Sequence, residues 1–149
     1  MTDLPQRIPT GDGEVIIASQ RHAFLYENFK FAAARRAGNV LYVSGVIAGP
    51  DKGEGRDVEA FKTQLRRAFG DLKATLAAAG ADFSKVVMIN SFHIWTGGNF
   101  EGDARTHLAT FIAVKDEFMP PPHPAWTAIG TTGIAIDTGV VEIQVIAHL

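Results

Sequence analysis

The chain has 149 residues, a formal net charge of −2 and no cysteine. That length suits one domain spanning residues 1–149, large enough to bury a core without a disulfide or metal staple. The missing thiols exclude disulfide frameworks, zinc–thiolate sites, iron–sulfur clusters and cysteine nucleophiles. The near-neutral charge offers no electrostatic footing for wrapping nucleic acid, and no apolar run reaches the roughly 18 to 20 residues of a membrane span. No nucleic-acid or membrane partner is therefore expected, and the expected location is the cytoplasm.

In chain order, Pro5, Pro9, Gly11 and Gly13 predict a loose arm over residues 1–14. Residues 14–18 read as a short β-branched strand, whereas residues 20–28 fit a helical turn and a loop equally. Residues 30–36 and 40–47, separated by Ala37-Gly38-Asn39, read as an antiparallel hairpin, and residues 49–55 as a surface loop. From Val58 the period becomes helical, with Val58, Phe61, Leu65, Phe69, Leu72, Leu76 and Ala79 on one stripe. Asp57 supplies the N-cap and Gly80 the stop. Residues 85–95 form a long strand whose two alternating sets are both largely apolar, so both faces are expected to be covered. Asn99 is the expected cap of a second helix that presents Leu108, Phe111, Ile112, Phe118 and Met119 on one face, and Pro120, Pro121 and Pro122 end it. Residues 125–129 and 140–147 complete the chain as strands.

This order predicts an α+β domain: a mixed sheet of about six strands with two helices on one face. The hairpin strand then sets Tyr42 and Val46 on one side and Leu41, Val43 and Ile47 on the other. Two helices cover one side only. The other stays apolar, which predicts a homo-oligomer that buries it by symmetry.

The chemistry-bearing residues are few. His22, His93, His107, His123 and His148 have no metal-ligand spacing, so no metal is expected, and His93 reads as a hydrogen-bonded structural residue. Neither a glycine-rich phosphate cradle nor a nucleophile elbow occurs, which leaves Ser44 as a structural or ligand-binding hydroxyl. Arg35-Arg36 and Arg66-Arg67 read as solvated faces. Glu142 belongs to the polar set of an alternating strand, facing either solvent or a cleft. Trp126, after Pro124-Ala125, reads as a core or interface aromatic.

Three separated segments carry a resemblance: AGNVLYVSG at 37–45, AAGADFSKVV at 78–87, and Pro124-Ala125-Trp126 followed by Val141-Glu142-Ile143. From about Phe31 to the C-terminus the chain resembles the Rid family, the YjgF-type reactive intermediate deaminases, some of which are labelled L-PSP endoribonucleases. The resemblance implies a chorismate-mutase-like fold and homotrimers with a ligand cleft at each subunit interface. It also implies hydrolysis of reactive enamines and imines with no metal or cofactor. In the family an arginine directly after Pro-Ala binds the substrate carboxylate, and here that position is Trp126. Phe31-Ala32 stand where the family has Tyr-Ser, Val46 where it often has Gln, and an expected Asn falls near Ala104.

Ser44, Gly45 and Glu142 keep the family pattern. The resemblance thus implies a refitted cleft in a homotrimer, with Phe31, Ser44, Gly45, Val46 and Trp126 as substrate-binding residues and Glu142 positioning or activating water. A small neutral or aromatic metabolite is the expected ligand. An indole cannot present the charged fork that a carboxylate pairs with, which argues against generic 2-imino acid deamination. The alternatives are a deaminase that recruits another cation, such as Arg36 or Arg105, and a non-catalytic ligand-binding or regulatory trimer. RNA cleavage finds no acid–base pair and no basic groove.

Overall fold

Val141, Ile143, Val145 and Ala147 alternate with Glu142, Gln144, Ile146 and His148 along the last strand, β7 (Val141–His148). The first four are fully buried, and every second side chain therefore enters one core. The computed structural model describes residues 3–149 and builds that core around β7. The other strands are β1 (Gln6–Thr10), β2 (Gly13–Ile17), β3 (Ala34–Ala37), β4 (Val40–Ala48), β5 (Val86–His93) and β6 (Ala125–Gly130). They form one sheet in the order β1-β2-β3-β4-β7-β5-β6. Every pair is antiparallel except β5 with β6. That one parallel pair is joined through a helix, as parallel neighbours require.

Three helices accompany the sheet: α1 (Gln20–Phe29), α2 (Val58–Ala78) and α3 (Ala104–Phe118). The α2 stripe packs as its spacing predicts, with Phe61, Leu65, Phe69, Leu72 and Leu76 all buried. Asp57 caps α2 by accepting the Ala60 N–H. At the other end Gly80 takes a positive φ of 77°, and the Gly80 and Ala81 amides donate back to Ala77 and Leu76. This double bond closes the helix in the way that favours glycine.

Several expectations need correction. Residues 6–17 are not a loose arm but the β1–β2 hairpin, while Met1 and Thr2 lie outside the described residues. Pro9 fits because β1 is an edge strand, where a missing N–H costs no ladder bond. The sheet has seven strands rather than about six, and the helices number three because residues 20–29 are helical. The hairpin strand starts at Ala34, since Lys30 to Ala33 follow the end of α1. Asp103, not Asn99, caps α3 by accepting the Thr106 N–H. Within α3 the buried stripe runs through His107, Thr110, Phe111 and Val114, and Ile112 is exposed.

A bulge in β4 rearranges the sheet faces. In β4 the register slips between Val43, opposite Val145, and Val46, opposite Ile143. Val46 thereby joins Leu41 and Val43 on the helix side, and Ile47 moves to the other face opposite Glu142. On β5, Ile89, Ser91 and His93 face the helices and are fully buried. Met88, Asn90 and Phe92 lie on the open face and are only half-buried, so that face is not covered within the protomer.

Candidate functional site

The β4 bulge is where the sheet opens. Ser44 and Gly45 share the space that one residue would occupy opposite β7, which kinks the strand. Ser44 anchors the kink. Its amide donates to the Ala33 carbonyl at 2.9 Å and its hydroxyl donates to the Ala32 carbonyl at 2.6 Å. A Cβ at Gly45 would run into the Glu142 carboxyl, so the absence of a side chain there lets the carboxylate lie across the bulge.

Beside this bulge lies a cavity of about 280 Å³. His22, Leu25 and Phe29 of α1 form one wall, Phe31 and Ala33 another, and residues 44–47 with Glu142 a third. Asp71 and Thr75 of α2 and the 135–136 loop close it. Apolar side chains dominate, which is the usual character of a small-molecule site with a few polar groups for orientation. Arg21 is the cation on the wall, and it stands 3.7 Å from Asp71.

Glu142 is the chemically distinctive group. It is half-buried, and among the described residues its carboxyl makes no hydrogen bond or ion pair. Burial without a compensating cation pushes its pKa up from the ordinary carboxylate range. Such a carboxyl holds a proton more readily than an exposed one, and it can accept a proton from water or a ligand, or donate a hydrogen bond when protonated.

Five of the six residues singled out from sequence converge on this cavity: Phe31, Ser44, Gly45, Val46 and Glu142. They come from three separate segments of the chain. Trp126 does not join them. It lies opposite Ile89 on the helix side of β6, stacks on Phe111 with ring centroids 5.5 Å apart, and donates its indole N–H to Ser91 Oγ at 2.7 Å. The expectation that Trp126 shares a hollow with Glu142 is thus not met inside one protomer, because the register of β6 aims the indole into the core. Arg36 and Arg105 are also absent from the cavity wall, and Arg36 pairs with Glu14 at 3.1 Å.

Trp126 instead begins a buried polar chain. Ser91 Oγ lies 2.7 Å from His93 Nε2, and His93 Nδ1 lies 2.9 Å from His107 Nε2. The Trp95 indole stacks on His93, with ring centroids 4.4 Å apart. Burial pulls His107 down to about 4, and burial together with the neighbouring His107 pulls His93 down to about 3, so both rings are neutral at pH 7. His93 is therefore hydrogen-bonded through both ring nitrogens. Among the described residues no three His, Asp or Glu side chains gather as a metal site. Sequence reading missed His107 because a stripe chosen by hydrophobicity skips a histidine. It missed Arg21 and His22 because α1 buries no residue completely and so lacks a clear apolar stripe.

One sheet covered by helices on a single face, with an apolar cavity and a lone carboxyl at a strand bulge, defines an α+β domain suited to a small ligand. The endoribonuclease L-PSP family model matches residues 24–149, and the chain belongs to this family, the Rid/YjgF group. It is 38% identical over 136 residues to the RutC family protein YjgH of Escherichia coli, covering 90% of this chain and 93% of that protein. The solved structure of protein YJGH superposes with a TM-score of 0.69 at 36% identity, covering 91% of this chain and 95% of that one. RidA from an Antarctic Psychrobacter gives a TM-score of 0.64 at 26% identity, covering 80% and 88%. A Mycobacterium tuberculosis member of the YjgF/YER057c/UK114 family shares the fold, with a TM-score of 0.68 at 18% identity over 89% of this chain and 98% of that one. No helix is long and apolar enough among the described residues to cross a membrane.

Proposed function

We propose that this protein is a cofactor-independent Rid-type homotrimer that binds a small neutral or aromatic metabolite in the cavity beside the β4 bulge and hydrolyses it with Glu142 as the group that positions or activates water. The observation that carries this reading is the convergence of Phe31, Ser44, Gly45 and Val46 on a carboxyl whose pKa burial has raised. The apolar wall suits a flat or compact body, and the carboxyl suits the polar end. Generic 2-imino acid deamination is not favoured: the family's arginine position holds Trp126, and that indole is engaged with Phe111 and Ser91. Homotrimerisation is supported by the open sheet face, where Tyr42 and Ile129 are 49% and 44% exposed.

The test has two arms. Sedimentation should give three chains per particle, and a monomer would remove the inter-subunit cleft. Hydrolysis of iminopyruvate should not exceed its spontaneous rate, whereas single-ring neutral compounds should raise the melting temperature of the wild type. Turnover of iminopyruvate would instead favour a deaminase that uses a cation such as Arg21. Ligand stabilisation with no product from any compound would favour a sensor.

A further inference from the structure

The first turn of α1 brings one more ionisable side chain to the cavity. His22 is half-buried and lines the cavity wall together with Leu25. Ser19 caps the helix: its hydroxyl oxygen accepts the His22 backbone N–H at 3.2 Å and lies 3.0 Å from Nδ1 of the same residue. A hydroxyl that accepts one N–H still has its own hydrogen to donate, and Nδ1 is the acceptor within reach. A ring that accepts at Nδ1 carries its proton on Nε2 when neutral. Burial and the adjacent Arg21 charge hold the ring neutral, against the opposing pull of Asp71 on α2. Glu142 on β7 is the remaining ionisable group of the wall. Among the described residues Nε2 makes no hydrogen bond.

We infer that His22 is a specificity-determining residue of this cavity: Ser19 fixes it as the neutral Nε2–H tautomer, and that N–H donates to an uncharged carbonyl oxygen on the ligand while Glu142 serves the ligand's other polar group. The inference rests on the small-molecule reading of the cavity and narrows it to compact apolar carbonyl compounds such as amides. A neutral donor selects an acceptor without demanding a negative charge, in contrast to a guanidinium. Arg21 and His22 precede residue 24, where the family model's match begins, so this donor lies outside the matched pattern.

Benzamide, acetophenone and toluene share one ring and differ in the acceptor they offer, and their binding to the full-length protein can be followed by NMR titration. His22→Ala should weaken benzamide and acetophenone about 3- to 10-fold, the loss of one hydrogen bond, and leave toluene unchanged. His22→Gln, whose side-chain amide offers an N–H, should recover most of the loss. Nitrogen-15 spectra of the wild-type imidazole should show the Nε2–H tautomer, and Ser19→Ala should bring in the other tautomer. Equal weakening of all three probes by His22→Ala, no weakening of any, or an Nδ1–H tautomer in the wild type would overturn the inference while leaving the cavity reading in place. Failure of all three probes to bind wild type would overturn both.

Discussion

Two regions of this protein take ionisable groups out of water, and they do so in opposite ways. Around Trp126, Ser91, His93 and His107, polar atoms meet one another inside a shell of Phe111, Trp95 and Phe61, and both histidines are fully buried. Around Glu142, the carboxyl and the His22 Nε2 have no protein hydrogen-bond partner among the described residues, and both residues line the cavity. The first network is satisfied except at His107 Nδ1, which is buried without a partner, and it stabilises the fold, whereas an unsatisfied group beside a hollow is what a ligand can satisfy. The contrast separates structure from function on the same sheet, a few residues apart.

That separation can be broken or sharpened by substitution. The largest effect should come from Phe111→Ala, which empties the shell of the buried chain: we expect a loss of about 3–5 kcal/mol in urea-induced unfolding, and a loss under 1 kcal/mol would mean the shell is loosely packed. Next comes pH. An unfolded histidine titrates near about 6.5, while the folded state holds His93 at about 3 and His107 at about 4. Between those values the unfolded chain binds protons that the folded chain refuses. The contribution is therefore whole above about pH 6.5 and falls as pH drops toward 4, by about 1.4 kcal/mol per pH unit for each histidine. Urea midpoints measured at successive pH values should show this slope, and a flat profile would argue that the rings are hydrated.

Trp126→Phe keeps the stack on Phe111 and deletes the N–H to Ser91, for an expected cost of about 1 kcal/mol with no change in cavity binding. Weakened ligand binding would return position 126 to the site. At Glu142 the sign reverses. Its folded pKa is raised, so the ionised form of the carboxyl works against folding, and Glu142→Gln should raise stability slightly while abolishing the proposed hydrolysis. Calorimetry and product assays check the two halves separately. The smallest stability effect belongs to Gly45→Ala, expected within about 0.5 kcal/mol because the atoms in the way, Cγ to Oε1, all belong to the flexible Glu142 side chain rather than to backbone. Ligand titration should nevertheless detect it, since the carboxyl has to move aside.

Much of the fold was legible because its periods are strong. The α2 stripe from Phe61 to Leu76 and the β7 alternation from Val141 to Ala147 bury whole sets of apolar side chains, and such patterns survive any tertiary context. Segments with little burial left no such trace. None of α1 is fully buried, and β1 is an edge strand that carries Pro9, so its sequence reads as turn. The cavity was legible where the family resemblance marked residues, at Phe31, Ser44–Val46 and Glu142. Within the protomer Trp126 faces the helices, a direction set by strand register, which a local motif does not encode. Val46 and Ile47 exchanged faces for the same reason: a one-residue bulge inverts alternation downstream of it.

That bulge has an evolutionary consequence. Upstream of it Leu41 and Val43 serve the core, downstream Val46 and Ala48 do, and the pair between them is exempt from the pleat. Ser44 and Gly45 thus face the hollow rather than a packed layer, and changes there are bounded by the Ser44 bond to Ala32 and by the Glu142 side chain over Gly45. The fold keeps, at the floor of its hollow, a short stretch of chain on which new ligand preferences can be tried while the scaffold stays as it is.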